Sequence, residues 1–155
     1  MSQSPKLALT EEERKRLREL KIKLSEIASY SKEQLSTTLQ VNIERARELI
    51  ASAVFQQVPS IGPKLALNLI ELGYYSLEEL KNEQGAELVE RLERLHDVWM
   101  DPCVEDVMRL AVYHANHPGS DKQWWDFTEE RKAYRSQNGY PNNRPKRSWH
   151  EAGSR

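Results

Sequence analysis

Val58 to Gly73 read VPSIGPKLALNLIELG, and the fold of the whole chain turns on this stretch. Two prolines, a serine and a glycine fall within five positions, between segments whose apolar residues recur at helical spacing. Pro59 disfavours the α conformation at Val58 and ends the helix before it. Ile61, apolar inside a turn, is expected to fill the gap between the two helices. Gly62 is expected to supply a positive φ or a close backbone approach. Pro63 suits the first helical position, where its missing N–H would have had no partner. The next helix then opens with the amides of Lys64 and Leu65, a positive dipole end and a lysine, which together suit an anion.

Outward from this turn the pattern stays helical. Thr10 with Glu13 has the spacing of a capping box, followed by Leu17, Leu20 and Leu24. SKEQLSTTL carries Leu35 and Leu39 on one face, and Asn42 caps IERARELIASAVFQQ, whose stripe is Ala46, Leu49, Ile50, Ala53 and Val54. Downstream, Ser76 with Glu79 repeats the capping-box spacing, and Gly85 is expected to separate that turn from AELVERLERLHDVW, with Leu88, Leu92 and Leu95 facing inward. Asp101-Pro102 opens another helix with the face Val104, Val107, Met108, Ala111 and Ala115, ended by His117-Pro118-Gly119. No alternating strand pattern occurs, so the expected class is all-α. A faint repeat places Leu24 over Leu77, Glu26 over Glu79, Ile27 over Leu80, Leu35 over Leu88 and Leu39 over Leu92. It reads either as a duplicated helical unit or as chance likeness between Leu/Glu-rich helices.

A chain of 155 residues suits one domain with tails. No run has the apolar length of a membrane span, and MSQSPKLALT has no signal-peptide core, so a soluble cytoplasmic protein with no membrane partner is expected. The lone Cys103 excludes an internal disulfide. The net charge of −1 hides an asymmetry: residues 58–130 hold six Lys/Arg against fifteen Asp/Glu, and residues 131–155 hold seven against one. An acidic middle and a basic tail often mark an interaction segment. The expected organisation is a flexible leader at 1–9, a helical unit at 10–57 that includes the first hairpin helix, a hairpin core at 58–118, and a partly disordered aromatic and basic extension at 119–155.

Pro59-Ser60-Ile61-Gly62 followed by Lys64 and Ala66 resembles the helix-hairpin-helix motif, whose usual core is Pro-Gly-apolar-Gly. Ser60 departs from it, standing where the first glycine is usual. The resemblance implies a helix-hairpin-helix (SAM-like) bundle that binds DNA through main-chain amides to phosphate, without reading sequence. It assigns Ser60, Ile61, Gly62, Lys64 and Leu65 to backbone contact. It also implies that turn carbonyls could take a monovalent cation; no other cofactor is expected. A wider resemblance, carried by FQQVPSIGPKLALNLIELGYYSLEELK, DPCVEDVMRLAVYHANHP and KQWWDFTEERKAYR, is to the bacterial "pathogenicity locus" family of small helix-hairpin-helix proteins, some described as mitomycin-resistance-like. It runs from about Leu9 to Trp149. A part in DNA repair, recombination or uptake follows from the motif by analogy.

The tail interleaves Arg131, Lys132, Arg135, Arg144, Lys146 and Arg147 with Trp124, Trp125, Tyr134, Tyr140 and Trp149. Such cations neutralise phosphates and such rings stack on bases. Trp124, Trp125 and Phe127 read better as a lid packed on the helices. Arg144, Lys146 and Arg147 are assigned to DNA, with a merely solvated tail as the competing reading. Cys103, His96, His114 and His117 invite a metal, but Cys103 and His114 would stand about 16 Å apart along one continuous helix, so no metal site is assigned. The abundant carboxylates read as caps and solvating charge, and no catalytic motif is present, so no enzyme is expected. The alternative to DNA binding is a protein-interaction module that uses the hairpin as a docking surface, its acidic face suited to a basic partner.

Overall fold

A computed structural model describes residues 4–152. Among these, all regular structure is helical, apart from an isolated bridge between Trp99 and Ser148. The chain forms two compact units that divide between Ser76 and Leu77, rather than at 57/58 and 118/119.

The first unit holds α1 (Glu11–Glu19), a 3-10 turn (Leu24–Ser29), α2 (Lys32–Leu39), α3 (Ile43–Phe55) and α4 (Pro63–Glu71). Leu17, Ile27, Leu35, Leu39, Ala46, Leu49 and Ala53 meet in its core, joined by Leu7. The segment expected as a loose leader is therefore held in place from Pro5 onward. The Gln56 amide accepts from and donates to the Lys6 main chain (2.9 and 3.0 Å), and Arg45 donates to the Ala8 carbonyl (2.8 Å). The capping box of α1 forms as expected, with Thr10 N–H on Glu13 Oε1 (2.9 Å) and Glu13 N–H on Thr10 Oγ1 (3.1 Å). Glu13 is in addition buried and accepts two bonds from Arg45 (2.9 and 2.8 Å), which lower its pKa, with Thr10 adding to the effect.

Between α3 and α4 the turn differs from expectation at one point. Gly62 sits at φ −95°, ψ −174°, extended backbone open to any residue, and the left-handed conformation falls on Ser60, at φ +72°. The motif's missing first glycine is thus the position that carries the backbone strain. Ile61 is buried as expected, with its N–H on the Val58 carbonyl (3.1 Å).

The second unit contains a 3-10 turn (Glu78–Leu80), α5 (Gly85–His96), α6 (Pro102–Asn116), a 3-10 turn (Trp124–Phe127), α7 (Thr128–Asn138) and α8 (Trp149–Ala152). Gly85 does not separate elements; it opens α5 where α5 and α6 touch. A Cβ there would lie 2.6–2.7 Å from Arg109 Cγ, Cα and N. Leu88 and Leu92 face inward, but Leu95 is 55% exposed, because the buried stripe runs through Val89 and Glu93 instead. Of the aromatic lid, Phe127 is buried and Trp125 is mostly exposed. The extension folds back as far as it is described: Trp99 N–H bonds the Arg147 carbonyl (2.8 Å) and Trp149 N–H the Trp99 carbonyl (2.9 Å).

The duplicated unit is written in the backbone. α1, 3-10 turn, α2, α3 is followed by α4, 3-10 turn, α5, α6. The aligned pairs Ile27/Leu80, Leu35/Leu88 and Leu39/Leu92 are all buried. α1 and α4 both run nine residues and end the same way. Lys21 and Gly73 take positive φ, and the next N–H reaches back to Leu17 (2.9 Å) or Leu69 (3.0 Å). α2 and α5 both close on a left-handed residue, Gln40 and Asp97.

Three stability measurements check this packing. Gly85→Ala should lower the free energy of unfolding in urea by about 1–3 kcal/mol, the range for inserting a carbon into packed structure. Ser60→Gly should raise it by up to about 1 kcal/mol, strain relief outweighing glycine's greater chain entropy. Glu13 has a folded pKa below its usual 4.5, so its contribution is complete above that pH and is lost as the pH falls through the lower folded value. Glu13→Gln should therefore be less stable than wild type at neutral pH, and the gap should close on acidification below 4.5.

Candidate nucleic-acid interface

The mouth of α4 is built by residues that disappear into the fold and leave their main chain behind. Ile61 and Leu65 are buried and anchor the turn. Contrary to expectation the Ile61 N–H is not on offer, being held by the Val58 carbonyl (3.1 Å), so of the two a ligand could meet only the Leu65 amide. Pro63 has no N–H, and the first in-helix bond to the Gly62 carbonyl comes from Ala66 (3.1 Å). The amides of Lys64 and Leu65 thus lie outside the helical ladder. Its N-cap, Gly62, supplies no side-chain cap, and its first turn holds no acidic residue. The Lys64 side chain is exposed.

Gly62 is informative because nothing within the fold demands it. Its φ suits any residue, and a Cβ there would find nothing within 4 Å. The corresponding end of α1 shows the contrast. Its N-cap is Thr10, its first turn holds Glu11, Glu12 and Glu13, and Glu13 turns back onto the cap. One helix end is neutralised by its own carboxylate; the other has Leu65 at that position.

The expected second contact region is largely consumed by the fold. Arg144 donates twice to Glu93 (3.0 Å each) and lies 3.7 Å from the Tyr140 ring centre, so its charge serves the second unit's interior. Arg131 pairs with Asp106 (2.6 Å), which also accepts from Thr128 (2.9 Å). Arg135 pairs with Glu105 (2.9 Å) and Glu90 (2.7 Å), and Arg109 also holds Glu105 (2.9 Å). Glu93, Glu105 and Asp106 are at most 2% exposed, so these carboxylates are interior partners and not solvating charge. A signal existed in the sequence: Glu105 and Asp106 interrupt the apolar face of α6, and the segment after Gln123 supplies arginines. Of the three tail residues assigned to DNA, Lys146 and Arg147 keep exposed side chains.

Among the described residues no group of three His, Cys, Asp or Glu is arranged to hold a metal ion. Cys103 is exposed at the start of α6, yet its thiol is not activated. Desolvation and a hydrogen bond to Asp101 raise its pKa. Burial lowers the pKa of His114, whose Nδ1 has no hydrogen-bond partner. At the turn, the carbonyls of Val58 and Gly62 each accept one amide, from Ile61 and Ala66.

Compared with known proteins, residues 48–133 match the family model described as "Pathogenicity locus". That stretch takes in the α3–α4 turn, α5, α6 and the start of α7, and stops before Arg144. The chain is also similar to the mitomycin resistance protein McrB of Streptomyces lavendulae, with 29% identity over 73 residues, 47% of this chain and 69% of that protein. No solved structure matches. Because the family match covers more than half of its length, the chain belongs to the Pathogenicity locus family.

Proposed function

We propose that this protein binds DNA without sequence preference, holding backbone phosphate at the mouth of α4. The observation that carries the reading is the acid-free first turn of α4 behind an N-cap glycine that the fold does not require. A phosphate oxygen there would accept from the main-chain N–H groups of Gly62 and Leu65, with the Lys64 ammonium adding charge. Such contacts position a duplex without reading bases. Lys146 and Arg147, on the second unit, are the tail cations with exposed side chains that would add long-range attraction. The protein is then a binding protein and not an enzyme, acting in the cytoplasm as an accessory to repair, recombination or uptake of DNA. No helix among the described residues is long and apolar enough to cross a membrane, in keeping with a partner in solution.

One observation favours docking to a protein instead. Leu67, one turn beyond Lys64 on α4, is 48% exposed, and an apolar side chain beside a helix mouth suits a protein surface better than a phosphate backbone. Salt separates the two. In anisotropy titrations with duplex, single-stranded and forked DNA, log K should fall linearly with log[salt], with a slope of about −0.9 per phosphate neutralised on duplex. Gly62→Val combined with Lys64→Glu should weaken duplex binding by at least about tenfold, as expected for loss of charge-assisted hydrogen bonds, with helical content retained. A double variant that binds like wild type overturns the DNA reading, and Leu67→Asp then becomes the variant that should break a protein complex.

A further inference from the structure

The second unit contains a cavity of about 440 Å³ that the α4 reading does not use. Its floor is the first turn of α5 at Gly85 and Ala86, and its walls come from α6, Phe127 and α7. The floor is rigid, since Gly85 packs directly on the Arg109 backbone. Two features of the walls point to a ligand, and they are of different kinds.

The first is aromatic. Tyr113, His117, Phe127 and Tyr134 all line the cavity. Tyr113 and His117 are stacked, with ring centres 4.0 Å apart and 15° between planes, and Phe127 lies 5.5 Å from Tyr113. Lys122 holds its ammonium 4.7 Å from the Tyr113 ring centre. With His117 stacked on it and Lys122 over its ring, Tyr113 is fixed as the inner layer of the wall, and four rings around one opening suit a flat ring system.

The second is electrostatic. Arg109 has an internal side and an external side. Its Nε and Nη2 both bond buried Glu105 (3.1 and 2.9 Å), which fixes the guanidinium. Its Nη1 reaches Glu130 (2.9 Å), a side chain 60% exposed at the cavity wall. An exposed ion pair of this kind is weak. Glu130 therefore stands where an incoming anion would, on an arginine already oriented by Glu105. The volume lies in the range of small-molecule sites, which combine apolar walls with a few placed polar groups.

We infer that this cavity binds a mononucleotide, its base against the His117/Tyr134 side of the wall and its phosphate on Arg109 in place of Glu130. The inference is independent of the proposed role of α4, because every residue it uses lies in the second unit. The test is calorimetry with full-length protein, using adenosine 5′-monophosphate, adenosine and inorganic phosphate as separate probes, together with amide chemical-shift mapping. The nucleotide should bind at least about tenfold more tightly than either fragment, since base stacking and the charge contact are lost separately. Shifts should centre on Gly85, Val112 and Tyr134. Glu130→Gln, which removes the competing carboxylate and leaves the buried pair intact, should tighten nucleotide binding several-fold, and Tyr134→Ala should weaken it by about tenfold. No shifts at these positions with millimolar nucleotide, phosphate binding as tightly as the nucleotide, or a Glu130→Gln protein with wild-type affinity would each overturn the inference. Loss of DNA binding in the α4 variant with nucleotide affinity unchanged would leave it standing.

Discussion

Glu93, Glu105 and Asp106 are buried carboxylates, and the second unit can bury them because an arginine meets each one. Desolvating a lone carboxylate costs several kcal/mol, and removing one partner of such a buried pair typically costs about 3–5 kcal/mol. The partners come from far along the chain. Arg131 and Arg135 ride on α7, and Arg144 arrives after the Gly139 turn. Part of the acidic middle and part of the basic tail, which look like opposite surface characters in the sequence, are two halves of one set of ion pairs. They fold the extension onto α5 and α6, and in doing so form the cavity beside Arg109.

The first unit solves a related problem differently. Its one buried acid, Glu13, caps α1 and is held by Arg45 from α3, so helix end, carboxylate and guanidinium satisfy one another. The leader residues are drawn in with them through Arg45 and Gln56. The first turn of α4 holds no acid of its own, so this closure by a capping carboxylate is not repeated there.

Much of this was legible beforehand, and the failures share a cause. Helices, caps at Thr10, Asn42 and Asp101, and the repeat follow from local spacing and local hydrogen bonding, which sequence reports directly. The family followed from VPSIGPKLALNLIELG and its neighbours. What misled was charge. Arg144 reads as a solvated arm and Glu105 as a helix-face acid, because burial of a charge depends on a partner tens of residues away. Gly85 and Gly62 misled in the same way. Each looked like turn chemistry, yet one is fixed by the Arg109 backbone across the α5–α6 contact, and the other by nothing inside the protein. At Ser60 the local rule held in a stricter form: the motif's absent glycine is the residue whose φ turned positive.

The repeated helical unit has a consequence of its own. A lone supersecondary element must seal both of its ends to survive, since an unsealed one is simply a weaker element. Once the pattern stands twice in a row, the first copy can shoulder integrity by keeping its acid and its basic clasp. The second is then at liberty to shed that acid, and α4 carries Leu65 where α1 carries Glu13. Tandem copying of this sort lets one helix end change its chemistry by subtraction, with no new part invented.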